Sequence, residues 1–174
     1  MIISTIYSST LREGAQRLKP NFYLNDGKLR LGNMKHLGHP MEELGVITSS
    51  VYRSNIFKRK FVEGAESGIP YISGADISKS FPTQGAKLIS RKSTPNQQET
   101  TLRTGQILVT CAGCIGNVRL VEDDIAGVIG SQDIIRIDCD EIKASNGFIY
   151  AFLSSPTAYA YMQSMLYGSV VARI

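Results

Sequence analysis

The sequence predicts an α+β fold: one domain with a twisted, mostly β core of short strands, followed by C-terminal helices. Two observations predict it. Short β-prone runs separated by glycines fill residues 106–137, and the apolar spacing changes to a helical period after Asn146. The chain has 174 residues, of which 43% are hydrophobic and 20% charged. That composition favours a packed core over disorder, and the length suits one domain.

The first 40 residues are predicted to form an N-terminal arm or helix before the main domain, 41–174. Leu11 to Leu18 could begin an amphipathic helix. Pro20, Asn25-Asp26-Gly27 and Gly38-His39-Pro40 follow, all of which are typical of turns and loops. We therefore expect this arm to be loosely structured.

The middle of the chain reads as short strands joined by long loops. Residues 44–52 suit a strand or a helix that leads into a strand, and 69–73 suit a second strand. Residues 81–101 contain Pro, Gly and a polar run, which predicts a long exposed excursion around a short strand at 87–90. Long loops on a rigid scaffold often carry function.

Further β-prone runs lie at 106–111, 117–121, 128–129 and 133–137. After Asn146 we predict a short helix at 148–153 and a second helix with Ser155 as N-cap and Pro156 at its first position. The second helix has an apolar stripe and Gly168 at its predicted C-terminal stop. The stripe consists of Ala158, Tyr161, Met162, Met165 and Leu166.

Positive charge is concentrated in one part of the chain. Residues 1–119 contain 16 Lys and Arg against 8 Asp and Glu, whereas 120–174 contain 3 against 7. The basic residues form two concentrations, 53–60 and 79–103. Such a distribution attracts polyanions, although a solvated loop with extra lysines would look the same.

The sequence has none of the features of a secreted or membrane protein. The N-terminus has no basic start followed by an apolar core, and the strongest apolar run, 147–153, is too short to span a bilayer. The three cysteines are an odd number, which argues against a disulfide framework. We expect a soluble, cytoplasmic protein with reduced thiols.

Catalytic signatures are weak. Cys111 and Cys114 have the CxxC spacing of a zinc or redox site, and Cys139, His36 and His39 are the only further Cys or His. A metal- or thiol-dependent enzyme is therefore an alternative. The simpler interpretation is a buried strand end at Cys111 and a glycine turn at Cys114. Similarly, the acidic run 122–124 is read as a solvated hairpin tip, and the common phosphate-binding and hydrolase motifs do not occur.

Four segments in order resemble a target recognition domain of a type I restriction-modification specificity subunit. They are GIPYISGADISK (68–79), LRTGQILVTCAGCIGNVRLVE (102–122), GSQDIIRID (130–138) and GFIYAFLSSPTAYAYMQSMLYGSVVARI (147–174). RLKPNFY (17–23) also resembles the opening that such subunits often have. The resemblance covers most of the chain from about residue 17.

The resemblance implies a non-catalytic DNA reader. Its partners would be double-stranded DNA, methyltransferase subunits that bind S-adenosylmethionine, and a restriction subunit, with no cofactor on this chain. Each target recognition domain of the family reads one half of a bipartite site. Here the sequence stops at Ile174, before the long assembly helix that usually follows in the family, which leaves self-association and partner binding open.

The candidate DNA-binding residues come from the basic half of the chain. Arginine suits guanine and glutamine suits adenine in the major groove, whereas lysine and arginine also bind phosphate. For phosphate contacts we predict Lys58, Arg59, Lys60, Lys87 and Lys92. For base contacts we predict Arg53, Arg91, Gln97 and Gln98. A generic nucleic-acid-binding module would show similar charge, and the turns 73–76 and 168–169 are assigned scaffold roles.

Overall fold

The computed structural model describes residues 20–23, 25–167 and 173–174. Its α-helices α1–α6 are Pro20–Tyr23, Asp26–His36, Leu44–Ile47, Gln97–Thr100, Asn146–Leu153 and Pro156–Ser164, with a 3₁₀ helix at Gly74–Asp76. Its strands β1–β8 are Thr48–Tyr52, Phe61–Val62, Gly68–Ile72, Lys87–Ser90, Ile107–Thr110, Val118–Leu120, Ile129–Gly130 and Ile134–Cys139. The prediction of an α+β fold with short strands and C-terminal helices is confirmed.

The strands form two four-stranded sheets. In the first, which we call the inner sheet, the order is β1-β8-β5-β6 and every pairing is antiparallel. In the second, the outer sheet, the order is β2-β4-β3-β7, with β3 and β7 parallel. The chain passes between the sheets several times, and the segment 53–60 is the first such crossing.

The inner sheet is covered on both faces. One face, with Ile107, Val109 and Ile137, packs against the C-terminal helices through residues such as Ile149. On the other face, Leu108 and Ile134 join a core cluster that includes Ile72 of the outer sheet. Alternation along a strand places neighbouring residues on opposite faces, and β5 is buried at all four positions because both faces are covered.

The outer sheet is covered more thinly. Its face away from the inner sheet buries a small cluster of Ile69, Tyr71, Ile89 and Ile129, with Phe57 packed against it. We call this the outer face. Phe57, in the segment 53–60, packs on it, and Phe61 beside it keeps 47% of its surface exposed.

Arg136 joins the two sheets. Its side chain is fully buried, and its guanidinium donates hydrogen bonds to the carbonyl oxygens of Ile134 (3.1 Å), Thr100 (3.2 Å) and Gly130 (2.8 Å). Burial lowers the pKa of Arg136 from its ordinary value. A Cβ on Gly130 would lie 2.9 Å from Nη2 of Arg136, so the glycine is needed for this close approach.

The prediction of a loosely structured arm is wrong for residues 26–36, which form α2. Asn25 is its N-cap, and the side-chain oxygen accepts from the amides of Gly27 and Lys28. The Asn25 side chain also donates to the carbonyl of Ala160 in α6 at 2.8 Å. The Asn25-Asp26-Gly27 sequence, typical of a turn, therefore begins a helix that packs on α6, because Asn also serves as a helix N-cap. The predicted helix at 11–18 lies outside the described residues, and the division at residue 40 stays a prediction.

Other local predictions agree with the structure, with two exceptions. The strand at 87–90, the helix-to-strand entry at 44–52 and the Ser155-Pro156 helix start are confirmed. However, α6 ends at Ser164, earlier than predicted, and Gly168 lies outside the described residues. The exposed run 122–124 is not a hairpin tip, because it connects β6 of the inner sheet to β7 of the outer sheet.

No helix in the described part of the chain is both long and apolar enough to cross a membrane.

Candidate nucleic-acid interface

The outer face combines aromatic rings with cations. Phe61 stands opposite Ile89 and packs edge-on against Tyr71, with ring centroids 6.0 Å apart. The ammonium of Lys87 lies 5.4 Å from the Phe61 ring centroid. The Arg59 guanidinium donates to the Tyr71 hydroxyl at 3.1 Å. Phe61 keeps 47% of its surface exposed, so an apolar ring is accessible beside Lys87.

Further predicted cations gather at one end of the outer sheet. The amide of Ser90, at the end of β4, donates to the carbonyl of Lys60, just before β2, at 2.8 Å. This pairing brings Lys60 beside Arg91 and Lys92, which follow β4 directly. The structure thus brings the two basic concentrations of the sequence together, although Lys60 and Arg91 are 31 positions apart along the chain. Lys58 is exposed in the segment 53–60 that leads to them.

Four other Lys and Arg side chains are paired with acids, whereas, within the described residues, the predicted cations are not. Within the described residues, ion pairs join Lys79 to Asp76, Arg103 to Asp138, Arg119 to Asp124 and Lys143 to Asp140. None of the seven predicted DNA-binding Lys and Arg takes part in an ion pair in that part of the chain, and all seven are exposed. Their charges are therefore open to a polyanion.

The loop that carries the predicted base readers is ordered by its own contacts. Residues 91–101 bury Thr94 and Thr100, whose hydroxyls donate to the carbonyls of Ser90 (2.8 Å) and Asn96 (3.2 Å). Arg91, Lys92, Gln97 and Gln98 point to solvent. The predicted excursion is therefore exposed through its side chains while its backbone is held.

Gln97 already has a partner. Its side-chain amide donates to the carbonyl of Arg91 at 2.6 Å, across the 91–101 loop. A base contact through that amide group would require breaking this bond, whereas the Gln98 side chain makes no hydrogen bond within the described residues. Both assignments stay predictions.

Arg53 is not part of the outer face. It follows β1 of the inner sheet, and its guanidinium contacts the Cys111 sulfur at 3.7 Å, the main cause of a raised pKa of Arg53. Cys111 is buried at the end of β5 and Cys114 is exposed in the following turn. Among the residues that the structure describes, no three His, Cys, Asp or Glu side chains form a metal-binding group.

A polar network lies near the C-terminal end of β8 in the inner sheet, beside the loop. The Asp138 carboxylate accepts hydrogen bonds from the Ser50 hydroxyl (2.7 Å) and the Gln106 side-chain amide (2.8 Å). Nη2 of Arg103 donates to both carboxylate oxygens (2.9 and 2.8 Å). Burial by itself raises the pKa of Asp138. The hydrogen bonds from Ser50, Gln106 and Arg103 outweigh that effect and hold the pKa below its ordinary value.

Sequence reasoning missed Phe61 of the outer face and two residues that organise its surroundings, Asp138 and Arg136. Phe61 follows Lys58-Arg59-Lys60 directly, so an aromatic next to a basic run was a usable signal. Nothing in the sequence marks Asp138 or Arg136, whose roles depend on contacts between distant segments. The predicted scaffold turn at 73–76 is a 3₁₀ helix, and Gly74 serves there for close packing: a Cβ would lie 3.2 Å from the Thr110 methyl.

No protein-family model matches the sequence, and no curated protein matches it.

Solved structures do match the fold. The HsdS subunit from Thermoanaerobacter tengcongensis superposes with a TM-score of 0.55 at 13% identity, covering 85% of this chain and 41% of that one. The type I restriction-modification system S subunit from M. genitalium gives a TM-score of 0.49 at 17% identity, covering 76% of this chain and 30% of that one. The chain thus spans less than half the length of either. The chain therefore has the two-sheet α+β fold of part of a type I restriction-modification S subunit.

Proposed function

We propose that this chain binds double-stranded DNA and reads one half of a bipartite site as part of a type I restriction-modification specificity subunit. The observation that carries the proposal is a set of exposed cations on and beside the outer sheet, at residues 58–60, 87 and 91–92, which form no ion pair within the described part of the chain. The fold likeness to the HsdS subunit supports it.

The chemistry of the surface fits two tasks. Lysine and arginine bind phosphates and fix the register of a duplex, while side chains held on a rigid loop contact base edges. We assign the first task to Lys58, Arg59, Lys60, Lys87 and Lys92. We assign the second to Arg91, Gln97 and Gln98, with Arg53 placed apart beside Cys111.

Catalysis belongs to partners in this proposal. This chain would be non-catalytic and act in the cytoplasm without a cofactor of its own. A methyltransferase subunit would bring S-adenosylmethionine, and a restriction subunit would join the same assembly. A pull-down of the whole chain from its native extract should recover a DNA methyltransferase subunit. Recovery of DNA without that subunit would contradict the assembly while leaving DNA binding intact.

The DNA-binding proposal is tested by salt titration. A preferred duplex is first selected from random double-stranded DNA, and its affinity for the whole chain is measured by fluorescence anisotropy at several salt concentrations. Lys60→Ala and Lys92→Ala should each weaken binding to every duplex and reduce the slope of log K against log salt by about one. Each variant loses one phosphate contact, which is independent of sequence.

The matched control is Lys35→Ala. Lys35 is an exposed lysine on α2, which packs on α6 rather than on the outer sheet. Its loss should leave the slope unchanged. Equal effects of all three substitutions would mean that net charge, and not this surface, determines binding.

Base reading is tested by Arg91→Ala. We expect discrimination at one base pair to fall by about 1–3 kcal/mol, with other positions unaffected. A repeated selection with the variant measures this. An unchanged preference removes Arg91 from the reading surface, and binding by the wild type without any sequence preference would favour a generic nucleic-acid-binding module.

A further inference from the structure

Two arginines hold the 91–101 loop by its backbone. Arg103 donates from Nη1 to the carbonyl of Gln98 at 3.2 Å, and buried Arg136 donates from Nη2 to the carbonyl of Thr100 at 3.2 Å. Both contacts fall on α4, the helical turn within the loop. The backbone that carries the predicted readers is therefore tied to groups outside the loop.

Arg103 can hold the loop because its own position is fixed by Asp138. Its Nη2 donates to both carboxylate oxygens, at 2.9 and 2.8 Å. The carboxylate is in turn held by Ser50 of β1 and by Gln106, just before β5. The Asp138 carboxylate on β8 thus accepts hydrogen bonds from three segments. One of its donors, the Arg103 guanidinium, also binds the backbone of the loop.

The guanidinium geometry is essential to this bridge. Arginine offers several N–H donors in a planar fork, so Arg103 binds the carboxylate and the Gln98 carbonyl at the same time. A lysine ammonium would keep the charge without that fork. Arg103→Lys should therefore loosen the 91–101 loop relative to the wild type, although the positive charge is kept.

The position of the loop matters for base reading. Hydrogen bonds to base edges depend on donor and acceptor positions, and a binding surface that is already ordered loses less entropy on binding. Phosphate contacts through flexible lysines are less sensitive to backbone position. Loosening the loop should therefore reduce specific binding more than non-specific binding.

We propose that Arg103 and Asp138 are positioning residues for DNA sequence recognition, which hold the 91–101 loop in its reading conformation without touching the bases. This inference rests on the proposed function. It goes beyond that function by separating residues that order the reading surface from those that contact DNA.

The structure offers a matched control in the Arg119–Asp124 pair. Arg119 lies on β6 of the same sheet, pairs with Asp124 at 2.5 Å, and also donates to backbone carbonyls, those of Ile77 and Lys79. It thus resembles the Arg103–Asp138 pair in chemistry and holds a different loop, one without predicted base readers. Asp124→Asn removes a comparable carboxylate.

The experiment measures affinity for the selected duplex and for a scrambled duplex of the same length. Asp138→Asn and Arg103→Lys should weaken binding to the selected duplex by about tenfold, the loss of one charge-assisted hydrogen bond. Their binding to the scrambled duplex should change by less than about twofold. In the control Asp124→Asn, the affinities for the selected and the scrambled duplex should both change by less than about twofold. Equal weakening on both duplexes, or the same pattern for Asp124→Asn, would overturn the proposal.

Amide hydrogen exchange of the free protein gives a second readout. Asp138→Asn should speed exchange in residues 92–101 relative to β3 and β5, whereas Asp124→Asn should leave that loop unchanged. Uniformly faster exchange across the chain would show a general loss of stability and contradict a positioning role. If the wild type binds no duplex yet the loop exchanges as expected, the proposed function fails and the ordering of the loop stands.

Discussion

The inner and outer sheets differ in what covers them. The inner sheet packs against helices on one face and against the inter-sheet core on the other, and the ion pairs of Arg103 and Arg119 are formed within or beside it. The outer sheet has only a small cluster on its outer face, where Lys87 and Arg59 contact aromatic rings instead of acids. One sheet is built as a scaffold, while the other keeps its charges available.

This difference shows that charge count alone does not locate a binding surface. Lys79 and Arg103 belong to the basic stretch of the sequence, yet both are neutralised by carboxylates. Lys60 and Lys92 come from the same stretch and are not paired with an acid in the described residues. An unpaired cation can exchange its counterions for a phosphate without first breaking an ion pair.

The largest expected effect comes from breaking the link between the sheets. Arg136→Ala leaves the carbonyls of Thr100 and Gly130 without this donor inside the protein and creates a void. We expect the free energy of unfolding to fall by about 2–4 kcal/mol. Urea unfolding measures it, with exposed Arg30→Ala as control. An unchanged midpoint would show that the sheets are held together without this side chain.

A smaller loss of stability is expected at the contact between α2 and α6. A Cβ at Gly27 would lie 2.2 Å from the Tyr161 backbone nitrogen, so Gly27→Ala forces α2 away from α6 and should cost about 1–3 kcal/mol. Gly32, in the same helix, has open space around it, and Gly32→Ala should stabilise by about 0.5–1 kcal/mol. Thermal unfolding distinguishes the two.

The DNA affinity of Gly27→Ala tests whether α2 belongs to the DNA-binding surface. Folded Gly27→Ala protein should bind the selected duplex like the wild type, because α2 packs on the helices that cover the inner sheet. Lost binding by a variant that remains folded would place α2 in the DNA-binding surface.

The smallest expected effect concerns the dependence of stability on acid pH at Asp138, near the C-terminal end of β8. The pKa of Asp138 is lowered in the folded state, so its stabilising contribution is present above its unfolded pKa of about 3.9 and is lost as the pH falls through the lowered value. In Asp138→Asn the free energy of unfolding should therefore depend less on pH below about pH 5. The difference should be less than about 1 kcal/mol, because the Arg103 side chain is half exposed. Urea midpoints at several pH values provide the check, and parallel curves would contradict it.

Local sequence signals predicted most elements. Ser155 followed by Pro156 marks the start of α6, and the β-branched runs mark β5 and β8. The arm was misread at Asn25, because an Asn-Asp-Gly turn and a helix N-cap look alike until a packing partner is known. The acidic run 122–124 was misread for a related reason: a hairpin and a crossing between sheets have the same turn residues.

The sequence by itself determined the short strands, the C-terminal helices and the concentration of positive charge, since these depend on propensity and composition along neighbouring residues. Only the tertiary structure decided that Lys60 lies beside Arg91, that Arg103 is neutralised by Asp138, and that Arg136 spans two sheets. Strand register and burial decide these contacts, and both depend on residues far apart in the chain.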